Sequence, residues 1–404
     1  MKSTVFLFIL SVGLLFMFGS CREASIEDLN REELFSLSLG KMENQIDLFQ
    51  VAGVPFKRRN RIYRKGGRIY ISNGNSAKIM EFTTYGDLVF LLQNAEKNPQ
   101  TIILNSDVNQ QNFTNRSARS FPFQNIGSLV VDSKKRLYVE DEVPPDQREV
   151  DDDTGAVYYK RILRFDRDGT LIDFLGQEGI GETPFPFIQS LHITASDELV
   201  IITRLVSEWI IFWFNSEGFP VYNVHVDAEH LPQQENSIVS LDKVIPDYRR
   251  RDLLMMITFY EEQINPSTQT RDAIRRSLGR VYRFDLENRV YDSYIAVPQS
   301  GTRKESVGGM ELEVPAPSYE MLGITLDGNY FFMRPLDFNR YELLALGEKG
   351  EVKARRVFTI EDSEIYFKFL NLSEEGILSG LLCFQDEVKI VTWRSDRLVQ
   401  EEPR

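Results

Sequence analysis

A strand end, a tight polar turn and an apolar restart recur six times along this chain, and that recurrence constrains the fold more than any other feature. The units are Phe82 to Leu88, Phe165 to Leu171, Phe214 to Pro220, Phe284 to Val290, Leu346 to Val352 and Trp393 to Val399. Four have glycine at the fifth position (Gly86, Gly169, Gly218, Gly350) and one has Asn288, residues that tolerate the left-handed backbone of hairpin turns. Upstream of each turn lies another short apolar strand, such as Leu137 to Val139, Leu199 to Ile201 or Tyr330 to Phe332. The stretches 121–140 and 183–202 align without a gap, sharing Pro122/Pro184, Phe123/Phe185 and Leu137/Leu199. Each repeat therefore reads as a four-stranded antiparallel meander, with strands a, b, c and d. The two shortest spacings, Phe165 to Phe214 and Leu346 to Trp393, suit a blade of about 40 to 50 residues. Six such sheets set radially make an all-β, six-bladed β-propeller, which leaves few open edges. Alternating strands alone also fit a β-sandwich; six matched units favour the propeller.

The chain has 404 residues, and its N-terminus carries Lys2, an apolar run from Val5 to Phe18, then Gly19, Ser20 and Cys21. That run is too short for a comfortable span of about 20 residues and has the order of an export signal. Small residues before a cysteine resemble the end of a bacterial lipoprotein signal, which implies removal of residues 1–20 and acylation of Cys21. Residues 21–33 then read as a tether, and 34–404 as one propeller domain. Within it, Phe35, Leu37 and Leu39 alternate with serines as a strand that closes the ring beside the last blade. The expected location is the cell envelope, on the outer membrane or the periplasmic face of the inner membrane.

The stretch Leu39 to Phe49, followed by Gly67 to Gly74 and Lys78 to Leu88, resembles a family of spirochaetal lipoproteins with NHL-like six-bladed propellers. The likeness is strongest over residues 34–92. It implies a binding scaffold for a protein, glycan or other ligand, and it transfers no ligand residues, because that family has no assigned ligand.

Insertions are distributed unevenly. In an up-and-down blade, b-to-c and d-to-a connections leave by one rim and a-to-b and c-to-d turns by the other. The long segments 93–120, 141–154, 261–278 and 298–317 all belong to the first rim, as recognition loops on a rigid scaffold do; neutral drift in loop length is the competing explanation. Charge on that rim is segregated. Asp141, Glu142, Asp151, Asp152 and Asp153 make an acidic loop, while Arg271, Arg275 and Arg276 line another, so these eight are the candidate partner-binding residues.

Other chemistries find little support. With 47 basic against 60 acidic residues and a net charge of −13, the chain offers nucleic acid no electrostatic purchase. Two cysteines, Cys21 and Cys383, make no disulfide framework. His225 and His230 lie five apart, a spacing that shares no face of a helix or strand, and no metal or cofactor motif stands out. A metal-dependent hydrolase or lactonase at the central channel remains the alternative to a binding scaffold, since a propeller gathers ligands from separate blades. One outcome follows from the anchor. Cys21→Ala is expected to shift the protein from the detergent to the aqueous phase on phase partitioning, because the mature chain has no second apolar run long enough to span; unchanged partitioning would remove the lipid tether.

Overall fold

The protein is described by a computed structural model over residues 28–49, 59–101, 116–152, 155–264, 271–299, 301–307 and 310–399. Cys21 lies outside these residues. The chain opens with β1 (Arg31–Ser38) and then lays down six small sheets in sequence order. The first blade is β2 (Asn60–Lys65), β3 (Arg68–Asn73), β4 (Lys78–Thr83) and β5 (Leu88–Gln93), with β6 (Ser117–Ser120) added in parallel. The second is β7 (Leu129–Val131), β8 (Leu137–Glu142), β11 (Lys160–Phe165) and β12 (Leu171–Gly176), edged by β13 (Gly179–Ile180). Between β8 and β11 stands a separate hairpin of β9 (Glu149–Val150) and β10 (Val157–Tyr158). The third is β14 (Ile188–Ile193), β15 (Leu199–Arg204), β16 (Glu208–Phe214) and β17 (Pro220–Asp227). The fourth is β18 (Ser237–Pro246), β19 (Asp252–Ile264), β20 (Arg271–Asp285) and β21 (Val290–Val297). After a second separate hairpin, β22 (Thr302–Val307) and β23 (Met310–Pro315), come β24 (Glu320–Ile324), β25 (Tyr330–Pro335), β26 (Arg340–Leu346) and β27 (Val352–Thr359). The last blade has β28 (Phe367–Leu372), β29 (Leu378–Cys383) and β30 (Glu387–Trp393), with β1 as its outer strand. The fold is a six-bladed β-propeller.

Period-2 alternation explains why the middle strands are almost wholly apolar: both faces of each sheet are covered. On β15, Leu199 and Ile201 enter the core shared with the second blade, whereas Val200 and Ile202 enter the core shared with the fourth. Six hydrophobic clusters fill the six gaps between neighbouring blades. The one between last and first joins Leu37, Leu381, Val388 and Ile390 to Ile62, Ile69, Met80 and Phe82. β1 enters that gap while pairing antiparallel with β30, from Arg31 opposite Trp393 to Ser38 opposite Glu387.

The c-to-d turns owe their sameness to three devices. In four of the turns a side-chain oxygen at the turn start (Thr83, Asp166, Asn215, Asp285) caps the turn's amides, as when Asp166 Oδ1 accepts from the amides of Asp168 at 2.9 Å and Thr170 at 2.8 Å. A residue with positive φ follows, and a register shift sits at the strand end, as between Arg164 and Phe165. Two units depart from their sequence reading. In the fourth blade the left-handed residue is Arg289 (φ 57°), not Asn288, whose amide and side chain are held by Asp285 instead. In the sixth, Ser395–Leu398 form a 3-10 turn where the sequence suggests a short final strand.

Glycine is required at Gly169 twice over. Its φ is +78°, and a Cβ there would lie 2.5 Å from the ring tip of Phe90 in the first blade. Gly66 (φ +54°) has the same backbone need with open space around it. Gly66→Ala is expected to cost about 1 kcal/mol from left-handed strain. Gly169→Ala adds overpacking between blades, for a total of about 2–4 kcal/mol. Equal denaturation midpoints for the two variants would show that the Gly169 contact yields without cost.

Candidate functional site

The two rims of the ring are built differently. Five of the a-to-b turns start on a buried polar residue (Asp132, Thr194, Asp247, Thr325, Ser373) whose side chain accepts amides of its own turn, at 2.8 Å for Asp132 and 3.2 Å for Thr194. The opposite rim carries the hairpin β9–β10, the free-standing end of β19–β20 and the hairpin β22–β23. These are ladders rather than loops. The segment 261–278, expected as an insertion, is strand on both sides of residues 265–270: Glu261 stands opposite Arg275, an opposite-charge cross-strand pair that favours continued pairing. The outer parts of these ribbons present apolar side chains to water, including Val150, Ile264, Ile274, Leu312 and Met310, the last 68% exposed.

The acidic candidates divide. Asp141 and Glu142, expected on an exposed loop, are buried residues at the end of β8. Fully buried Lys160 reaches Glu140 at 2.9 Å and Glu142 at 3.3 Å, and Arg59 of the neighbouring blade stands 3.4 Å from Glu142. Asp141 pairs with Arg161 at 3.3 Å and accepts the backbone amides of Gln124 at 3.1 Å and Asn125 at 2.8 Å. Burial pushes its carboxyl upward against those donors. Glu142 ties the second blade to the first through Arg59, Asp141 pins the segment entering β7 to β11, and neither is available to steer a partner. Asp151 and Asp152 do lie at the surface, at the closed end of β9–β10, where the Asp151 carbonyl accepts the Gly155 amide at 2.8 Å; Asp153 is outside the described residues. Arg275 is exposed on β20, and Arg276 donates to Thr258 Oγ1 at 3.0 Å. The backbone of Arg271 begins β20, while its side chain is outside the described residues. Acidic and basic groups thus sit on the second and fourth blades, two separate places on one rim.

The axis holds a second constellation, which the sequence did not single out. Tyr63 and Lys65 come from β2, His192 from β14, Lys243 from β18, Tyr248 from the turn after it, and Glu374 from the turn after β28. Tyr63 of the first blade feels Tyr248 of the fourth and Glu374 of the sixth, which requires side chains reaching the centre of the ring. Lys65 and Glu374 form an ion pair at 2.7 Å. His192 Nε2 lies 3.0 Å from Ser190 Oγ, and its ring centroid 6.4 Å from that of Tyr248. Burial, with Lys243 nearby, pushes His192 down to about 3, so its ring is neutral at ordinary pH. Burial also lowers Lys243, against the field of Glu320, and raises Tyr63 and Tyr248. Polar residues on inner strands were the available signal, since Lys243 interrupts an apolar run.

Elsewhere, His225 and His230 pair with Glu208 at 2.9 Å and Asp227 at 2.7 Å. Among the described residues no three His, Cys, Asp or Glu side chains gather as a metal would need. Cys383 is a buried residue of β29 whose thiol is pushed up to about 12 by burial.

No protein-family model and no curated protein matches the chain. Among solved structures, it is similar to a member of the DUF4221 family from Bacteroides vulgatus (9% identity, 91% of this chain and 98% of that one, TM-score 0.45). The Dos1 propeller is 9% identical over 91% of this chain and 95% of that one, with a TM-score of 0.38. The soluble aldose sugar dehydrogenase of Escherichia coli is 11% identical over 91% and 99%, with a TM-score of 0.37. None of these likenesses assigns an activity to this chain.

The depressed His192 gives stability a pH signature. The native state binds fewer protons there than the unfolded chain, so stability falls as pH drops from about 6.5 toward 3. Between pH 7 and 5 the loss from this one ring is about 2 kcal/mol. His192→Gln is expected to remove that part of the difference between urea unfolding at pH 7 and at pH 5; an undiminished difference would mean that the ring protonates freely in the folded protein.

Proposed function

We propose that this chain is a binding scaffold of the cell envelope, tethered by a lipid on Cys21 and engaging a protein or glycan partner with the rim that carries the hairpins. It belongs, on this reading, with the spirochaetal lipoproteins it resembles in sequence. The carrying observation is the asymmetry of the rims. One is closed by short, internally capped turns. The other raises three two-stranded ribbons whose outer parts bury little of their own apolar surface, and isolated ribbons of that kind gain little stability by themselves. Exposed Met310, Leu312, Ile264 and Ile274 supply apolar anchors, and Arg275 with Asp151 and Asp152 supplies charges of both signs at the margins. A metal-dependent hydrolase at the axis has less support, because the axial constellation is two separate lysines, a neutral histidine and two phenols, with Glu374 already paired to Lys65.

The test separates scaffold from partner surface. Joining Glu261 to Arg275 with Asn-Gly, and replacing 302–315 with Gly-Ser, removes two ribbons while every blade keeps its four strands. Melting midpoints are expected to stay within about 2 °C, since the inter-blade cores are untouched. Cross-linked capture from detergent-solubilised envelopes is expected to fall at least tenfold. Undiminished capture by both variants would assign the ribbons to drift.

A further inference from the structure

The six innermost strands carry Arg61, Arg64, Lys65, Lys243 and Lys368 against Asp242 and Glu320. Basic residues thus outnumber acidic ones on these strands, in a chain where 60 acidic residues outnumber 47 basic ones, and Glu374, which the turn after β28 brings to the axis, is held by Lys65. Narrow channels with low-dielectric walls concentrate such a field and draw in ligands of the opposite sign.

Lys243 is the centre of this arrangement. Its ammonium donates to the carbonyls of Met321 at 2.7 Å and Leu322 at 3.4 Å, which occupies two of its three protons. Among the described residues no carboxylate stands within ion-pair distance of it; Glu320 acts on it only through its field. His192 of the third blade lies within the field of Lys243, and the His192 ring stands 6.4 Å from that of Tyr248. The neutral His192 ring carries one N–H. The Tyr63 and Tyr248 hydroxyls each bring a proton of their own. These side chains come from the first, third and fourth blades, and each keeps part of its surface accessible to water although protein packs around it.

We propose that the axial channel binds a carboxylate, received by the Lys243 ammonium and the His192 ring with the Tyr63 and Tyr248 hydroxyls beside them. A compact anion gives Lys243 the acceptor-only partner that no described carboxylate supplies, Glu374 being held by Lys65. The desolvation cost of Lys243 is already incurred in the fold, so the ligand meets a pre-organised cation. A sugar acid and a peptide C-terminus both carry the required group. The site does not depend on the rim reading, since none of its residues lies on the ribbons.

The test uses the whole protein and its histidine ring signals. With only three histidines in the chain, His192 is assigned by comparison with His192→Gln, and the exposed His225 and His230 serve as internal controls. Wild-type protein is titrated at pH 7 and constant ionic strength with acetate and, separately, with isosteric but uncharged acetamide. The His192 signal is expected to shift saturably with acetate, at least tenfold more tightly than with acetamide, while the other two histidines stay still. Lys243→Met, checked for folding by its melting curve, is expected to weaken acetate at least tenfold. N-acetylglycine and D-glucuronate then identify the carrier by which of them binds more tightly. An unmoved His192, or equal responses to acetate and acetamide, overturns the proposal without recourse to any variant.

Discussion

No blade of this protein has a hydrophobic core to itself. Each sheet is one layer thick and buries both faces against its neighbours, so every apolar cluster belongs to two blades and the whole ring stands on six shared interfaces. Removing any one blade would expose two apolar faces rather than one. That requirement accounts for the composition of the b and c strands, for the aromatic residues ahead of strand a that pack in the gaps (Phe123 with Phe165, Phe185 with Phe212 and Phe214), and for the glycines that let an outer turn lie against the preceding blade.

The same requirement explains a buried charge network that looks costly in isolation. Glu140, Asp141 and Glu142 end a strand that cannot shed them to water without breaking the interface between the first two blades. Arg59, Lys160, Arg161 and several backbone amides compensate them there. Breaking one such partner leaves an uncompensated buried charge, and that is worth more than the pair itself contributes. The network acts as a registration device between blades.

Architecture was therefore legible where local chemistry repeats, and illegible where tertiary partners decide. Six recurring turn units announced six blades, five of them with a left-handed position and four with a capping side chain, because a turn's requirements lie within a few residues. Asp141 and Glu142 looked like a solvated acidic run because Lys160, Arg161 and Arg59 are supplied by other strands. Segment 261–278 looked like a loop because its charges hide the alternation, yet Glu261 and Arg275 face each other in the ladder. The axial group was missed for a related reason: Tyr63, His192, Lys243 and Tyr248 are scattered over nearly 190 positions and meet only because inner strands converge.

The outer strand of the last blade has a kinetic consequence. β1 is the first strand made, and its partner β30 is nearly the last. The Arg31–Glu361 ion pair spans 330 positions of chain, and the gap that receives Leu37 does not exist until the sixth sheet has formed. Contacts of such separation are slow to assemble, and the unpaired edge of β30 stays open for the interval. During synthesis, Phe35 and Leu37 must wait through the emergence of five complete sheets before they are sheltered. An intermediate with five blades docked and its ends apart is therefore the species most exposed to exchange of β1 between two molecules, and the cell has reason to shield it until the circle shuts.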